Sequence, residues 1–195
     1  MQKSKLIDIY KKHSNIIHII LWIIFICWKI PFLNRGIDYT DTGYSLENYE
    51  NVFFGNGIDS IGVFLATYIG GLLFKLLPAY HLLVYRVLHW MIGLLSAFFA
   101  YRLFKRYLDK NLIMVLLLGL AFSSKGGEAL FSYYPVTICL LIASLLLLHN
   151  GLVDNKKAKI FFAGVLSGLN IFVRLPNLLF VAMALGIIYY GWIEK

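Results

Sequence analysis

The sequence predicts an all-α fold: a polytopic transmembrane helix bundle of about six spanning helices, with an interfacial helix in the first external loop. Three observations predict it. Of 195 residues, 60% are hydrophobic and 14% charged, against the roughly 25% charged of a soluble domain. Several apolar runs approach the ~20 residues that cross a bilayer. The basic residues cluster in connections between alternate runs, as the orientation of membrane helices requires. One segment stands apart. Residues 34–57 form the only long polar stretch, and they hold four of the ten acids: Asp38, Asp41, Glu47 and Glu50.

The same composition sets other classes aside. A net charge of +8 orients helices and faces anionic lipid, so no nucleic-acid partner is expected. Cys27 and Cys139 lie inside apolar runs and read as small core residues rather than a disulfide or metal pair. No metal-ligand or phosphate-loop spacing occurs, so no cofactor and no divalent metal is expected.

The first element follows a basic start, Lys3, Lys5, Lys11 and Lys12 against Asp8, and runs apolar over 15–33. It is long and no small-x-small cleavage site follows. It therefore reads as an uncleaved first spanning helix with a cytoplasmic N-terminus. Trp28 and Lys29 suit an interfacial anchor near its far end. In the polar stretch, Leu46, Tyr49 and Phe53 recur at helical spacing and predict a short helix after Asp41. Run 60–77 carries Gly70, Gly71 and Lys75, and Pro78 ends it. If both 60–77 and 82–101 crossed, the cluster Arg102, Lys105, Arg106 and Lys110 would lie outside, against the positive-inside rule. Run 60–77 is therefore placed in the interface, and all of 34–80 outside the cytoplasm.

The remaining runs alternate. Run 111–122 goes out, 123–129 turns, and 130–149 returns. The loop 150–159, with Lys156, Lys157 and Lys159, is cytoplasmic. Run 160–173 goes out and 178–192 returns. Inside segments then hold 12 of the 18 Lys and Arg. Run 111–122 is short for a ~30 Å core and needs flanking residues or a shallow hairpin. Gly164 and Gly168 predict close helix packing, and His18 reads as a packing residue. Tyr133, Tyr134 and Pro135 mark a helix start, an aromatic belt with Pro in the first turn. Residues 1–195 form one transmembrane domain.

Several side chains fit chemistry as well as structure. Asp41 fits an N-cap accepting first-turn amides. It equally fits a general base, beside Tyr39 and Tyr44, that takes a proton from an acceptor hydroxyl. Asp38 fits the cap or an acceptor contact. Arg86, His89 and Trp90 share a helix side and suit either an anionic headgroup or a helix-end anchor. Arg174 suits a lipid phosphate or a snorkelling position. Lys75 has the same two readings. Lys125 and Glu128 read as a pair across the 123–129 turn.

The order of these features resembles the N-terminal half of the GT-C class of polytopic glycosyltransferases, which includes protein O-mannosyltransferases and lipid A aminoarabinose transferases. The resemblance rests on Asp41-Thr42-Gly43-Tyr44 after one helix, on a short helix ending at Gly55, and on a helix opening with Arg86. It rests also on a Gly-x-x-x-Gly run from Gly164 to Arg174. It implies sugar transfer from a polyprenyl-phosphate donor at the extracytoplasmic face. Asp41 would be catalytic; Asp38, Tyr44, Arg86, His89 and Arg174 would contact substrate. Relatives carry a second acid before the helix that here starts near Tyr134. This chain has Tyr133 and Tyr134 there, with Glu128 as the nearest acid. Relatives also carry further helices. The resemblance thus implies an N-terminal module, with a protein partner supplying the missing helices or with no activity of its own. The alternative function is a non-enzymatic lipid-binding or assembly subunit that docks through its external loop.

Overall fold

The computed structural model describes residues 2–33, 41–54, 61–77, 81–123 and 130–193. Among the described residues the chain is helical and has no strand. Its helices are α1 (Gln2–Cys27), α2 (Asp41–Phe54), α3 (Phe64–Leu76), α4 (His81–Phe104), α5 (Lys110–Ser123), α6 (Tyr133–Val153), α7 (Lys157–Val173) and α8 (Ala182–Ile193). Short 3-10 turns cover Ile30–Phe32, Ile61–Val63 and Leu175–Val181. Three stretches are long and apolar enough to cross a bilayer: Lys12–Phe32, Leu82–Phe104 and Tyr133–Val153. This is a membrane protein by that measure. Helices α3 and α5 are apolar but have 13 and 14 residues, roughly 20 Å each against a ~30 Å core.

Side-chain contacts fix the helix directions. Helix α4 runs antiparallel to α1: Arg86 Nη1 donates to the Leu33 carbonyl at 2.8 Å, while further along Trp22 meets Tyr101. Helix α5 runs beside α1 in the same sense. Asn111 Nδ2 donates to Ser14 Oγ at 3.1 Å, and Trp28 meets Phe122 eleven residues later on α5. Phe25, Ala97, Met114 and Leu118 form the core where these three helices meet. Helix α6 follows α4, with Phe131 beside Tyr85 at one end and Tyr107 bonded to His149 at the other. Helix α7 returns along α6, joined by Ser144 Oγ donating to the Ala163 carbonyl at 3.0 Å. The basic segments 3–12, 102–110 and 156–159 therefore share one end of the bundle. The α2–α3 pair occupies the other.

Local chemistry explains the turns. Asp109 caps α5: its Oδ1 accepts from the amides of Asn111 and Leu112 at 2.9 and 3.3 Å, the usual duty of an N-cap carboxylate. Tyr10 donates to the same oxygen at 2.7 Å. This bond, aided by the two amides and by Lys110, holds the Asp109 carboxyl below its ordinary range. The α6–α7 turn closes with Asn155 at φ 51°. The Lys156 amide donates to the Gly151 carbonyl at 2.9 Å and the Asn155 amide to Leu152 at 3.4 Å, the Schellman pattern, which Asn tolerates.

The glycine pair that interrupts 60–77 has a packing cause. A Cβ on Gly70 would stand 2.5 Å from the Tyr49 ring, and one on Gly71 would stand 2.9 Å from the Tyr49 carbonyl. Only glycine lets α2 and α3 approach so closely.

Three expectations change. A Cβ on Gly164 or Gly168 would meet nothing within 4 Å, so these glycines do not mediate packing among the described residues. Helix α7 uses its Ala163, Ser167 and Asn170 side instead. Spacing reveals a small face but not which face the neighbour takes. Cys27 is exposed rather than core, while Cys139 is buried. The run 178–192 begins as a 3-10 turn, not an α-helix. There Asn177 Nδ2 donates to the Asn170 carbonyl at 2.9 Å and to Thr137 Oγ1 at 3.0 Å, which pins the turn to the ends of α6 and α7. His18 does pack: it accepts from Trp22 Nε1 at 3.2 Å and lies against Tyr101.

Candidate functional site

Among the described residues, two places stand out as candidate sites. The first is a groove of about 480 Å³ walled by the end of α1 and by α4, α5 and α6. Its size falls in the range of small-ligand sites. The α4 wall runs from His89 to Ala100, about 16 Å of helix. Most of the lining is aliphatic or aromatic: Phe25, Leu94, Ala97, Leu117, Leu120 and Ile138 among others. Polarity concentrates at one end. The Arg86–Leu33 bond sets the level of α1 against α4. One helical turn further in on each, four residues along, stand Lys29 and Trp90, with His89 beside them. Trp90 Nε1 is buried and has no hydrogen-bond partner among the described residues. His89 Nδ1 lies 3.0 Å from the Leu130 carbonyl. A carbonyl only accepts, so Nδ1 carries the proton in this contact. Ser96 is satisfied by the Ile92 carbonyl at 2.8 Å.

The second place is the aromatic cluster where α2 and α3 meet α4 and the start of α6. Tyr49, Tyr85, Leu130 and Phe131 form its buried centre. Tyr49 hydroxyl donates to the Phe131 carbonyl and Tyr85 hydroxyl to the Gly70 carbonyl, both at 2.8 Å. The Phe131 amide donates to the Tyr85 carbonyl at 3.1 Å. Burial, with Tyr85 close by, pushes the Tyr49 phenol up, so it stays a donor at neutral pH.

The sequence-predicted residues separate on this frame. Asp41 is the first residue of α2, one position past the place of a cap residue. Asp38, Lys125 and Glu128 lie outside the described residues. Tyr44 is exposed, and its carbonyl accepts from Asn48 Nδ2 at 2.8 Å. Arg86 is 5% exposed and is not in the groove wall; His89 and Trp90 are. The expected trio is thus split between a helix-to-turn bond and a cavity. Arg174, just past α7, lies over the rings of Tyr133 and Tyr134 at 5.0 and 5.4 Å, a cation–π arrangement. Lys75 is exposed and sits 5.3 Å from the Phe53 ring. The sequence reading missed Lys29 as a lining residue. Its signal was a lone cation inside an apolar run, which in lipid is a functional marker. Asp109 was missed as a cap, although Asp before an apolar run is a helix-start signal.

No protein-family model, curated protein or solved structure matches this chain.

Proposed function

We propose that this chain is the N-terminal module of a membrane glycosyltransferase of the GT-C kind, taking its sugar from a polyprenyl-phosphate donor at the extracytoplasmic face. The supporting observation is the docking of α2 and α3 across the ends of α4 and α6 by the Tyr49, Tyr85 and Phe131 bonds, with Asp41 opening α2. A polar segment held over a helix bundle in this way can present a carboxylate beside the membrane surface, where a lipid-linked sugar would stand. In this reading six segments cross: α1, α4, α5, α6, α7 and the 178–192 stretch, while α3 lies in the interface. The basic end faces the cytoplasm. Asp41 takes the acceptor proton as the sugar leaves its phosphate. Asp38, Tyr44, His89 and Arg174 contact substrate.

Two experiments test this. Single cysteines at Asn51 and Lys156, in a background lacking Cys27 and Cys139, are expected to label from opposite sides of the membrane. Labelling from one side removes the topology. Transfer from a polyprenyl-phosphate sugar is expected to fall by about 10²-fold or more in Asp41→Asn, the scale of a lost general base. Equal turnover in both proteins would remove Asp41 from the mechanism, and no transfer by wild type would remove the class.

One observation favours the alternative function, a non-enzymatic lipid-binding or assembly subunit. Arg86, which the transferase reading offers to a phosphate, is buried and donates to Leu33. If Asp41→Ala leaves function intact while Tyr44 or Phe53 variants lose partner binding, that alternative stands.

A further inference from the structure

We propose that the groove between α1, α4, α5 and α6 binds one chain of an anionic bilayer phospholipid, with its phosphate at Lys29. The inference uses the membrane placement of the helices and does not depend on glycosyl transfer.

Length, charge and unused hydrogen bonding together select this occupant. The groove runs along about 16 Å of α4, close to half of the ~30 Å hydrocarbon core. That length suits one leaflet's chain. Its walls are apolar except for Ser96, whose hydroxyl is bonded to the Ile92 carbonyl, and for one end, where Lys29, His89 and Trp90 stand. Among the described residues no carboxylate belongs to the lining, and Lys29, 5.9 Å from the Trp28 ring, brings a positive charge to that end. The Trp90 indole N–H adds a donor with no partner among the described residues. A phosphate ester offers this end a negative charge for the ammonium and acceptor oxygens for the indole. The level also fits. Lys29 lies near the end of the span Lys12–Phe32, beside Trp28 and Tyr134 of the same lining, which is where aromatic residues and snorkelling cations meet headgroups. A packed helix from another chain would meet an ammonium group at this end instead of a neutral one. Gly93 leaves the middle of the wall open: a Cβ there would meet nothing within 4 Å.

The test counts lipids retained per chain by native mass spectrometry of purified protein in mixed micelles. The probes are phosphatidylglycerol, phosphatidylcholine with the same chains, a polyprenyl phosphate, and inorganic phosphate. Wild type is expected to hold one phosphatidylglycerol per chain, with about fivefold preference over phosphatidylcholine, the effect of one lysine near an anionic surface. Lys29→Gln is expected to abolish the preference while keeping phosphatidylcholine-level binding, and Lys29→Arg to restore it. Gly93→Phe fills the wall and is expected to lose both lipids. A thermal melt of each variant checks the fold, and Lys29→Gln at the groove rim supplies the answer should Gly93→Phe not fold. Millimolar inorganic phosphate is expected to leave the lipid bound. Four results would overturn the proposal. These are equal retention of the two phospholipids by wild type, an unchanged preference in Lys29→Gln, and displacement by inorganic phosphate or by stoichiometric polyprenyl phosphate. The fourth is a wild-type dimer without lipid that Gly93→Phe makes monomeric, because a second copy would then fill the groove.

Discussion

Phe131→Ala is expected to cost about 3–5 kcal/mol, the range for truncating a buried aromatic. The prediction rests on how many elements meet at this residue. Phe131 is 1% exposed. Its ring lies 6.2 Å from that of Tyr49 on α2 and 6.5 Å from that of Tyr85 on α4, within the spacing of interacting aromatic pairs. Its amide donates to Tyr85 and its carbonyl accepts from Tyr49. The ring therefore fills the space around which those two backbone bonds are set, two residues before α6 begins. Alanine leaves the backbone groups in place but removes the filling, so the cost is cavity and lost contact rather than lost hydrogen bonds. Tyr49→Phe makes the complementary change. It keeps the ring and leaves the Phe131 carbonyl without its donor, at a smaller cost of about 1–3 kcal/mol. The midpoint of a detergent-denaturation titration, followed by helical circular dichroism, measures both. If Phe131→Ala unfolds with wild type, α2 and α3 are not held to the bundle by this cluster.

The contrast between these contacts and the sequence shows what a chain of this kind reveals. Helix positions were legible because apolar runs and their breaks are local. The stretch after Asp41, the interrupted run 60–77 and the runs from 82, 111, 130 and 160 all appear as helices. Partners were less legible. Spanning helices are apolar on every side, so no stripe announces the buried face, and Gly164 and Gly168 suggested a contact on the wrong side of α7. Gly70 and Gly71 read as interruptions of run 60–77, whereas they admit Tyr49. The groove draws its walls from segments nearly 120 positions apart, Phe25 to Ile142, and no local pattern encodes such a space. Among site residues, the position of Asp41 at the start of α2 was legible from the spacing behind it. The bond from Arg86 to Leu33 was not, because that acceptor is a backbone carbonyl past the end of α1, and every residue has one.

Arg86→Leu is expected to lower stability by about 2–3 kcal/mol while leaving anionic-lipid retention at the wild-type level. The guanidinium donates 2.8 Å to the Leu33 carbonyl, just past the Ile30–Phe32 turn, where helix-end carbonyls lack intrahelical donors. A charged donor to such a group contributes about 1.5–3 kcal/mol. Leucine fills part of the volume but cannot donate, so the end of α1 loses its tie to α4. Arg86→Lys keeps the charge but offers a shorter, unforked donor, and is expected to fall between wild type and leucine. The denaturation midpoint and the native-mass lipid count separate the two roles open to Arg86. A tie between helices predicts a lower midpoint with unchanged lipid. A phosphate ligand predicts an unchanged midpoint with polyprenyl phosphate lost, and that outcome would sink the structural assignment. The same pair of measurements on Lys29→Gln should give the reverse pattern, altered lipid preference at constant midpoint. Lys29 and Arg86 therefore test each other: one cation holds α1 to α4, and the other, one turn along, faces the space those helices leave open.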